Sequence, residues 1–225
     1  MLKRALNFWE DDRGLTLFLA FLAVYLFVFL PVARPGGILD IVSNIGLSLI
    51  LAGGLLGMTR RKSVRFLIGV FIVLFLITDW LGAFRGGGML ETVDRIFTIL
   101  FGTALLAVIL WQVYKSGPVT GHRVRGAIAG YLLLAVIFSL IYSFIYYFNP
   151  NSFNFPTASN ISKQDFFYFS VVSLTTLGFG DITPITPLAR TFVMVEAFTG
   201  QLYPAILIAR LVSLAVETGK KGEGP

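Results

Sequence analysis

Thr175-Thr176-Leu177-Gly178-Phe179-Gly180-Asp181 is the stretch whose residue types suit a path lined by backbone oxygens. Glycine takes positive φ at no steric cost, so Gly178 and Gly180 can alternate the sense of the backbone. Alternation of that kind turns successive carbonyls to the same side of a strand. Copies of such a strand around an axis give rings of carbonyls that replace the hydration shell of a cation. The Thr176 hydroxyl adds an oxygen at the inner end. Leu177 and Phe179 are expected to point away from the oxygens and pack against the short apolar helix before them. Irregular backbone inside a membrane is tolerated only where protein buries it or water meets it. Other chemistry finds little support. There is no cysteine, hence no disulfide and no thiolate metal site, and the lone histidine, His122, reads as a solvated loop residue. No paired carboxylates, histidine cluster or nucleophile–base pair stands at membrane depth, so enzymatic chemistry and a cofactor are not expected.

The elements that must position this stretch are apolar. The chain is 56% hydrophobic and only 13% charged, with mean hydropathy +0.82, against about 45–50% and about 25% in soluble domains. The net charge of +6 lies in short basic clusters between apolar runs, which points to membrane orientation and not to nucleic acid. A spanning helix needs about 20 apolar residues. Six runs qualify, at 15–33, 38–58, 64–84, 92–114, 124–148 and 187–216. The segment 163–176 is apolar but too short to span, and suits a re-entrant helix. Lys3, Arg4, Arg13, Arg60, Arg61, Lys62, Arg65, Lys115, Arg123, Arg125, Arg210, Lys220 and Lys221 put 13 basic residues on one side; Arg34, Arg85, Arg95, Lys163 and Arg190 put 5 on the other. The bias places both termini in the cytoplasm and requires an even number of spans, so the short segment enters and leaves on the outer side. The first run follows Glu10-Asp11-Asp12 and lacks a small-residue cleavage site, so it reads as a retained span. The expected fold is an all-α membrane protein with six transmembrane helices and a re-entrant helix between the last two. Residues 1–14 form a cytoplasmic N-terminus, 15–116 a four-helix domain, 124–216 a pore domain and 217–225 a cytoplasmic tail. With so few residues after Val216, no regulatory domain is expected there.

Thr-Thr-Leu-Gly-Phe-Gly-Asp resembles the signature of the tetrameric potassium channels, usually T-V-G-Y-G-D, and the order of helix, pore helix, filter and final helix matches that family. The resemblance is strong over residues 131–216 and weak before them, and it fits prokaryotic members best. It implies potassium as the permeant ion, held by carbonyls of Thr176, Leu177, Gly178 and Phe179 and by the Thr176 hydroxyl, with Gly180 completing the filter. It also implies support from Thr175 and from Asp181 packed against the pore helix, a homotetramer in the lipid bilayer of the cell membrane, and no nucleic-acid partner. The pattern departs where the family often has a tryptophan pair and a filter tyrosine. Those positions carry Tyr168, Phe169 and Phe179, and Val172 stands where some members place a carboxylate. The filter is therefore expected to rest on packing more than on hydrogen bonds.

Gly200 lies twenty residues after Gly180, the family's spacing for the bend of the inner helix, and Pro204 adds a missing N–H. Gly200 is read either as a gate hinge or as a site of close helix packing. Glu196 and Gln201 are polar residues at membrane depth and so candidate functional groups. Glu196 is expected first to hydrogen-bond behind the pore helix and second to contact the ion directly, Gln201 to face the cavity or a neighbouring subunit, and Arg210 to snorkel. Of the outer acids Asp40, Asp79, Glu91, Asp94, Asp165 and Asp181, all but the last read first as caps or solvated loop residues. The fourth run has only Arg95, beside Asp94 and with Asp79 as a further partner, so no arginine ladder exists for a voltage sensor. Gly53-x-x-x-Gly57 and Gly126-x-x-x-Gly130 permit close helix contact. Trp9, Trp80, Trp111, Tyr146 and Tyr147 suit an interfacial belt. The alternatives to a potassium-selective channel are a weakly selective monovalent cation channel and, less favoured, a transporter subunit, for which internal repeats are missing.

Overall fold

A computed structural model describes residues 12–32, 46–47, 49–50, 53–54, 89–114, 121–156 and 161–222. The second and third sequence-predicted spans, with Asp40, Asp79, Trp9 and Trp80 and the side chains of Glu91, Asp94 and His122, lie outside the described residues, save for helical fragments at 46–47, 49–50 and 53–54. Four described helices are long and apolar enough to cross a membrane, with spanning portions Leu15–Val32, Arg95–Tyr114, Arg123–Phe148 and Pro187–Arg210. The chain divides into two compact units, one of residues 1–108 with 159–165, the other of residues 109–158 with 166–225.

In the first unit, α1 (Asp12–Val24) continues through a π-helical turn, Tyr25–Phe29, into Leu30–Val32. Pro31 has no N–H to offer the turn before it, and there the helix widens, with the Leu30 N–H bonding the Tyr25 carbonyl. Leu15, Phe18, Leu22, Tyr25, Leu26 and Leu30 are buried at helical spacing, while Phe21, Val24, Phe27 and Val28 are exposed. A helix apolar on both its buried and its exposed faces suits lipid and not water. In α2 (Met89–Tyr114), Phe101, Leu105 and Leu106 are buried. Gly54 admits Phe18 and Leu105 closely, whereas Gly53, the glycine of the small-residue pattern, meets nothing within 4 Å.

In the second unit, α3 (Gly121–Phe148) carries a buried row from Leu133 to Ile145. A 3-10 turn, Pro150–Ser152, follows, with Asn149 capping it through the Asn151 N–H at 3.1 Å. The all-α expectation needs one correction. Strand β1 (Phe153–Asn154) pairs antiparallel with β2 (Thr183–Pro184), in register Phe153 with Pro184 and Asn154 with Thr183. Two strands leave only edges, so a proline without an N–H costs nothing there. The ladder, with the Ile185 N–H on the Ser152 carbonyl at 2.8 Å, ties the chain before the short helix to the chain after the glycine stretch.

Helix α4 (Lys163–Leu174) starts in the second-named segment of the first unit and runs into the second. Its 12 residues measure about 18 Å, short of the roughly 30 Å of a bilayer core. Asp165 accepts the Ser162 N–H at 2.7 Å and the Ser162 hydroxyl at 2.8 Å, the acidic half of a capping box, which fixes the helix start. The final helix, α5 (Pro187–Gly222), opens with Thr186 accepting the Ala189 N–H at 3.4 Å and with Pro187 at a position where a missing N–H is harmless. It runs on as helix through Gly200 and Pro204.

Candidate functional site

Residues 175–181 leave α4 as neither helix nor ladder-paired strand. Positive φ occurs at Thr176 (59°), Gly178 (57°) and Gly180 (79°), every second residue. That alternation is the conformation in which consecutive carbonyls share a side. For the glycines it carries no penalty. For Thr176, a β-branched residue, it is a true outlier that costs about 1–3 kcal/mol and persists only where neighbours enforce it.

The enforcing contacts come largely from the end of α4. The last carbonyls of a helix lack intrahelical partners, and here the departing chain folds back onto them. Val171 O accepts the Thr175 N–H at 3.0 Å, Ser173 O the Thr176 N–H at 3.0 Å, and Val172 O the N–H groups of Leu177 at 3.0 Å and Gly178 at 3.5 Å. The Thr175 hydroxyl donates to Val171 O at 2.6 Å. Val172, buried, thus supports the strand through its carbonyl rather than its side chain. From α5, the Gln201 Nε2 donates to Thr176 Oγ1 at 2.8 Å.

The expectation that packing outweighs hydrogen bonds in this support is corrected at Tyr168. Its hydroxyl donates to Asp181 Oδ2 at 2.7 Å, a bond from α4 to the residue after Gly180. This bond holds the Asp181 carboxyl below its ordinary 3.8 and, acting on the phenol, pushes Tyr168 above its ordinary 10.0. A lowered carboxylate keeps its contribution above its ordinary value and loses it as pH falls through the folded value; a raised phenol loses its contribution as pH rises through the folded value. The bond is therefore whole from below pH 3.8 to above pH 10.0. Acidifying from pH 7 to 5 is expected to leave cation flux through the wild type unchanged from this cause, and Tyr168→Phe is expected to lower flux at both pH values alike. Paired flux measurements at the two pH values check it.

Phe169 is buried, packed against Tyr142 at 5.2 Å and Phe153 at 5.6 Å between ring centroids. With Phe166, Tyr146 and Phe155 these rings form a continuous aromatic cluster behind α4. Leu177 and Phe179 behave otherwise than expected. They do not pack onto α4 within the chain but stand 61% and 66% exposed, and residues 175–181 are exposed throughout.

Glu196 is fully buried behind α4. The Tyr142 hydroxyl of α3 donates to Glu196 Oε2, and the Ser170 hydroxyl of α4 reaches Glu196 Oε1 at 2.5 Å and the Ala135 carbonyl at 2.8 Å. One carboxyl thus joins three helices. Sequence reasoning named Glu196 but missed Tyr142 and Ser170. Gly200 is buried, and a Cβ there would run into the Leu174 carbonyl at the end of α4. That carbonyl also accepts the Tyr131 hydroxyl at 3.3 Å. Tyr203 bonds the Ala127 carbonyl at 2.8 Å and stacks against Tyr131 at 5.5 Å, fastening α5 to α3. Pro204 leaves the carbonyl one turn earlier, that of Gly200, without a helical N–H. Gly200 therefore lies beside the site, with Pro204 one turn further along α5, while Arg210 lies at the end of the spanning portion.

A family model described as ion channel, Ion_trans_2, matches residues 132–217, which take in α3 from its fourth turn onward, α4, the glycine stretch and most of α5. Over 109 residues the chain is 32% identical to two-pore potassium channel 5 of Arabidopsis thaliana, covering 47% of this chain and 24% of that protein. It is 34% identical over 108 residues to potassium channel K2 of Plasmodium falciparum, covering 47% of this chain and 7% of that protein. It is 32% identical over 88 residues to protein LctB of Bacillus caldotenax, covering 36% of this chain and 64% of that protein. The chain thus spans about a quarter or less of the first two relatives. No solved structure matches it significantly. These matches support a pore-loop potassium-channel family, with a multi-pass membrane protein as the setting, and they are matches to channels and not to enzymes.

Proposed function

We propose that four copies of this chain form a potassium-selective channel, in which the carbonyls of Thr176, Leu177, Gly178 and Phe179 with the Thr176 hydroxyl bind permeating potassium. The observation that carries this reading is the positive φ at alternate residues 176, 178 and 180, in a strand fastened by its own N–H groups to the end of a 12-residue helix. Each copy gives one side of a carbonyl ring, and the sequence carries one such stretch, so a closed ring takes four. The exposure of Leu177 and Phe179 supports neighbours there, as does α5, of which only 17% of the spanning window is buried against 61% for α3. In this reading α4 is the re-entrant helix of a six-helix subunit with cytoplasmic termini in the cell membrane. Its partially negative C-terminal end then faces the bilayer centre, where it favours a cation. Without an arginine ladder, opening is at most weakly voltage-dependent, since one elementary charge gains only about 2.3 kcal/mol per 100 mV.

The test is flux from liposomes holding the purified chain, potassium against sodium. Faster potassium flux is expected; equal flux indicates the weakly selective cation channel. Gly178→Ala is expected to remove the selectivity. The added methyl has open space within the chain, so its penalty is the backbone's, about 1–2 kcal/mol per residue for the left-handed conformation, paid once in each of four subunits.

A further inference from the structure

Gln201 is an uncharged polar side chain in a mostly apolar stretch of α5, preceded by Phe198-Thr199-Gly200 and followed by Leu202-Tyr203-Pro204-Ala205-Ile206. Its Nε2 donates to Thr176 Oγ1 at 2.8 Å, across 25 residues of sequence. Thr176 is the one residue other than glycine among those described with positive φ, and its N–H is held by Ser173 O at 3.0 Å. Backbone and side chain of this threonine are therefore each fixed by one bond, and the side-chain bond comes from a different helix. A hydroxyl has two lone pairs and one proton. Accepting from Gln201 uses one lone pair, restricts rotation about χ1, and leaves the other lone pair for a cation. The reach depends on Gly200, the preceding residue, whose missing Cβ lets α5 lie against Leu174 two residues before Thr176.

We infer that Gln201 is the positioning residue of the inner cation site: it holds the Thr176 hydroxyl in place and thereby sets how strongly that site prefers potassium to sodium. This deepens the channel reading and rests on it. A freely turning hydroxyl accommodates the smaller ion by moving inward; a tethered one does not. The length of the side chain matters. Asparagine is one methylene shorter, about 1.5 Å, and does not reach. Glutamate reaches but reverses the bond, since it accepts the threonine proton, and it adds a negative charge beside the site.

The experiment measures potassium and sodium flux from liposomes holding the full-length chain, for the wild type, Gln201→Leu, Gln201→Asn, Gln201→Glu, Thr176→Val and the double variant Gln201→Leu with Thr176→Val. Leu and Asn are each expected to lower the potassium-to-sodium flux ratio by roughly fivefold, about what one hydrogen bond contributes, with sodium flux rising. Glu keeps the tether with the bond reversed and is expected to hold the ratio closer to the wild type than Leu or Asn does. In the Thr176→Val background the Leu substitution is expected to change nothing further, because its effect acts through the hydroxyl. If Leu fails to assemble, as judged by mass in detergent, Asn carries the same comparison. A wild-type flux ratio in both Leu and Asn overturns the inference, as does an equal fall with and without the Thr176 hydroxyl. A wild type that passes sodium as readily as potassium overturns the potassium-selective reading, and one that passes neither ion overturns the channel reading itself; either result is visible before any Gln201 variant is made.

Discussion

Gly200→Ala is expected to abolish potassium flux and to lower the stability of the assembled protein. A Cβ at this position falls on the Leu174 carbonyl oxygen, with the carbonyl carbon at 2.8 Å and the Leu174 Cα at 3.1 Å. All three are backbone atoms, so no rotamer change relieves the clash. The Leu174 carbonyl is moreover tied to the Tyr131 hydroxyl at 3.3 Å, and the carbonyls just before it hold the N–H groups of residues 175–178. Relief therefore requires α5 to move off α4, or the end of α4 to move with the strand it carries. Overpacking in a close-packed interior costs about 1–3 kcal/mol where side chains can give way, and a backbone obstacle puts this case at the upper end or beyond. Either movement also draws Gln201 from Thr176. The two readings of Gly200 diverge here. A pure hinge predicts a well-folded alanine variant with altered opening; close packing predicts a lower melting temperature together with lost flux. Burial at Gly200 and the unbroken helix around it favour packing. Thermal unfolding in detergent beside the flux assay decides, and an alanine variant that melts with the wild type would return the residue to a hinge.

How much of this was legible in the sequence depends on whether a residue's role is local. Gly178 and Gly180 were readable because glycine alone takes positive φ cheaply. Thr176 was not, because its own preference runs against the conformation and its neighbours impose it: Ser173 three residues back, Gln201 from another helix. The described helices were readable from apolar runs, although α3 and α5 extend beyond them into polar residues, which hydrogen-bond as well in a helix as in a loop. The β1–β2 ladder was not readable, since two residues per strand show no alternation. Tyr168 was read as a lost clamp because it was compared by residue type with tryptophan; a phenol supplies the same polar hydrogen and reaches Asp181. Leu177 and Phe179 were expected against the short helix and stand exposed within the chain, because a period-two pattern tells which side a residue takes but not what covers it. Glu196 was readable as a polar residue in an apolar helix, but its partners lie 54 and 26 residues away and depend on three helices meeting.

That meeting point carries the second large effect. Glu196→Ala is expected to destabilise the second unit by about 3 kcal/mol or more, a cavity cost added to unsatisfied polar groups. The buried Glu196 side chain fills the space between α3, α4 and α5 and is partner to two hydroxyls. In the alanine variant Tyr142 loses its acceptor in a fully buried position, with aromatic rings on its other sides. Ser170 is better placed, because the Ala135 carbonyl still accepts its proton at 2.8 Å. Glu196→Gln is expected to be far milder. Its amide oxygen accepts from Tyr142 as the carboxyl does, while its N–H group can donate to Ser170 and leave the serine proton wholly to Ala135. Tyr142→Phe is expected to fall between the two, since it removes one donor and leaves the ring packing in place. The cycle formed by Tyr142→Phe and Glu196→Ala should be strongly non-additive, as contacting groups in one network are: once the carboxyl is gone, removing the orphaned hydroxyl relieves a penalty. Melting temperatures of the four proteins in one detergent measure this. A cycle that adds within about 0.5 kcal/mol would mean that Glu196 holds the three helices by its volume and not by its hydrogen bonds. Because the carboxyl grips α4 at Ser170, four residues before the turn into the strand, the alanine variant is also expected to lose potassium selectivity at temperatures well below its unfolding. The helix that presents the carbonyls would then be free to shift before the protein comes apart.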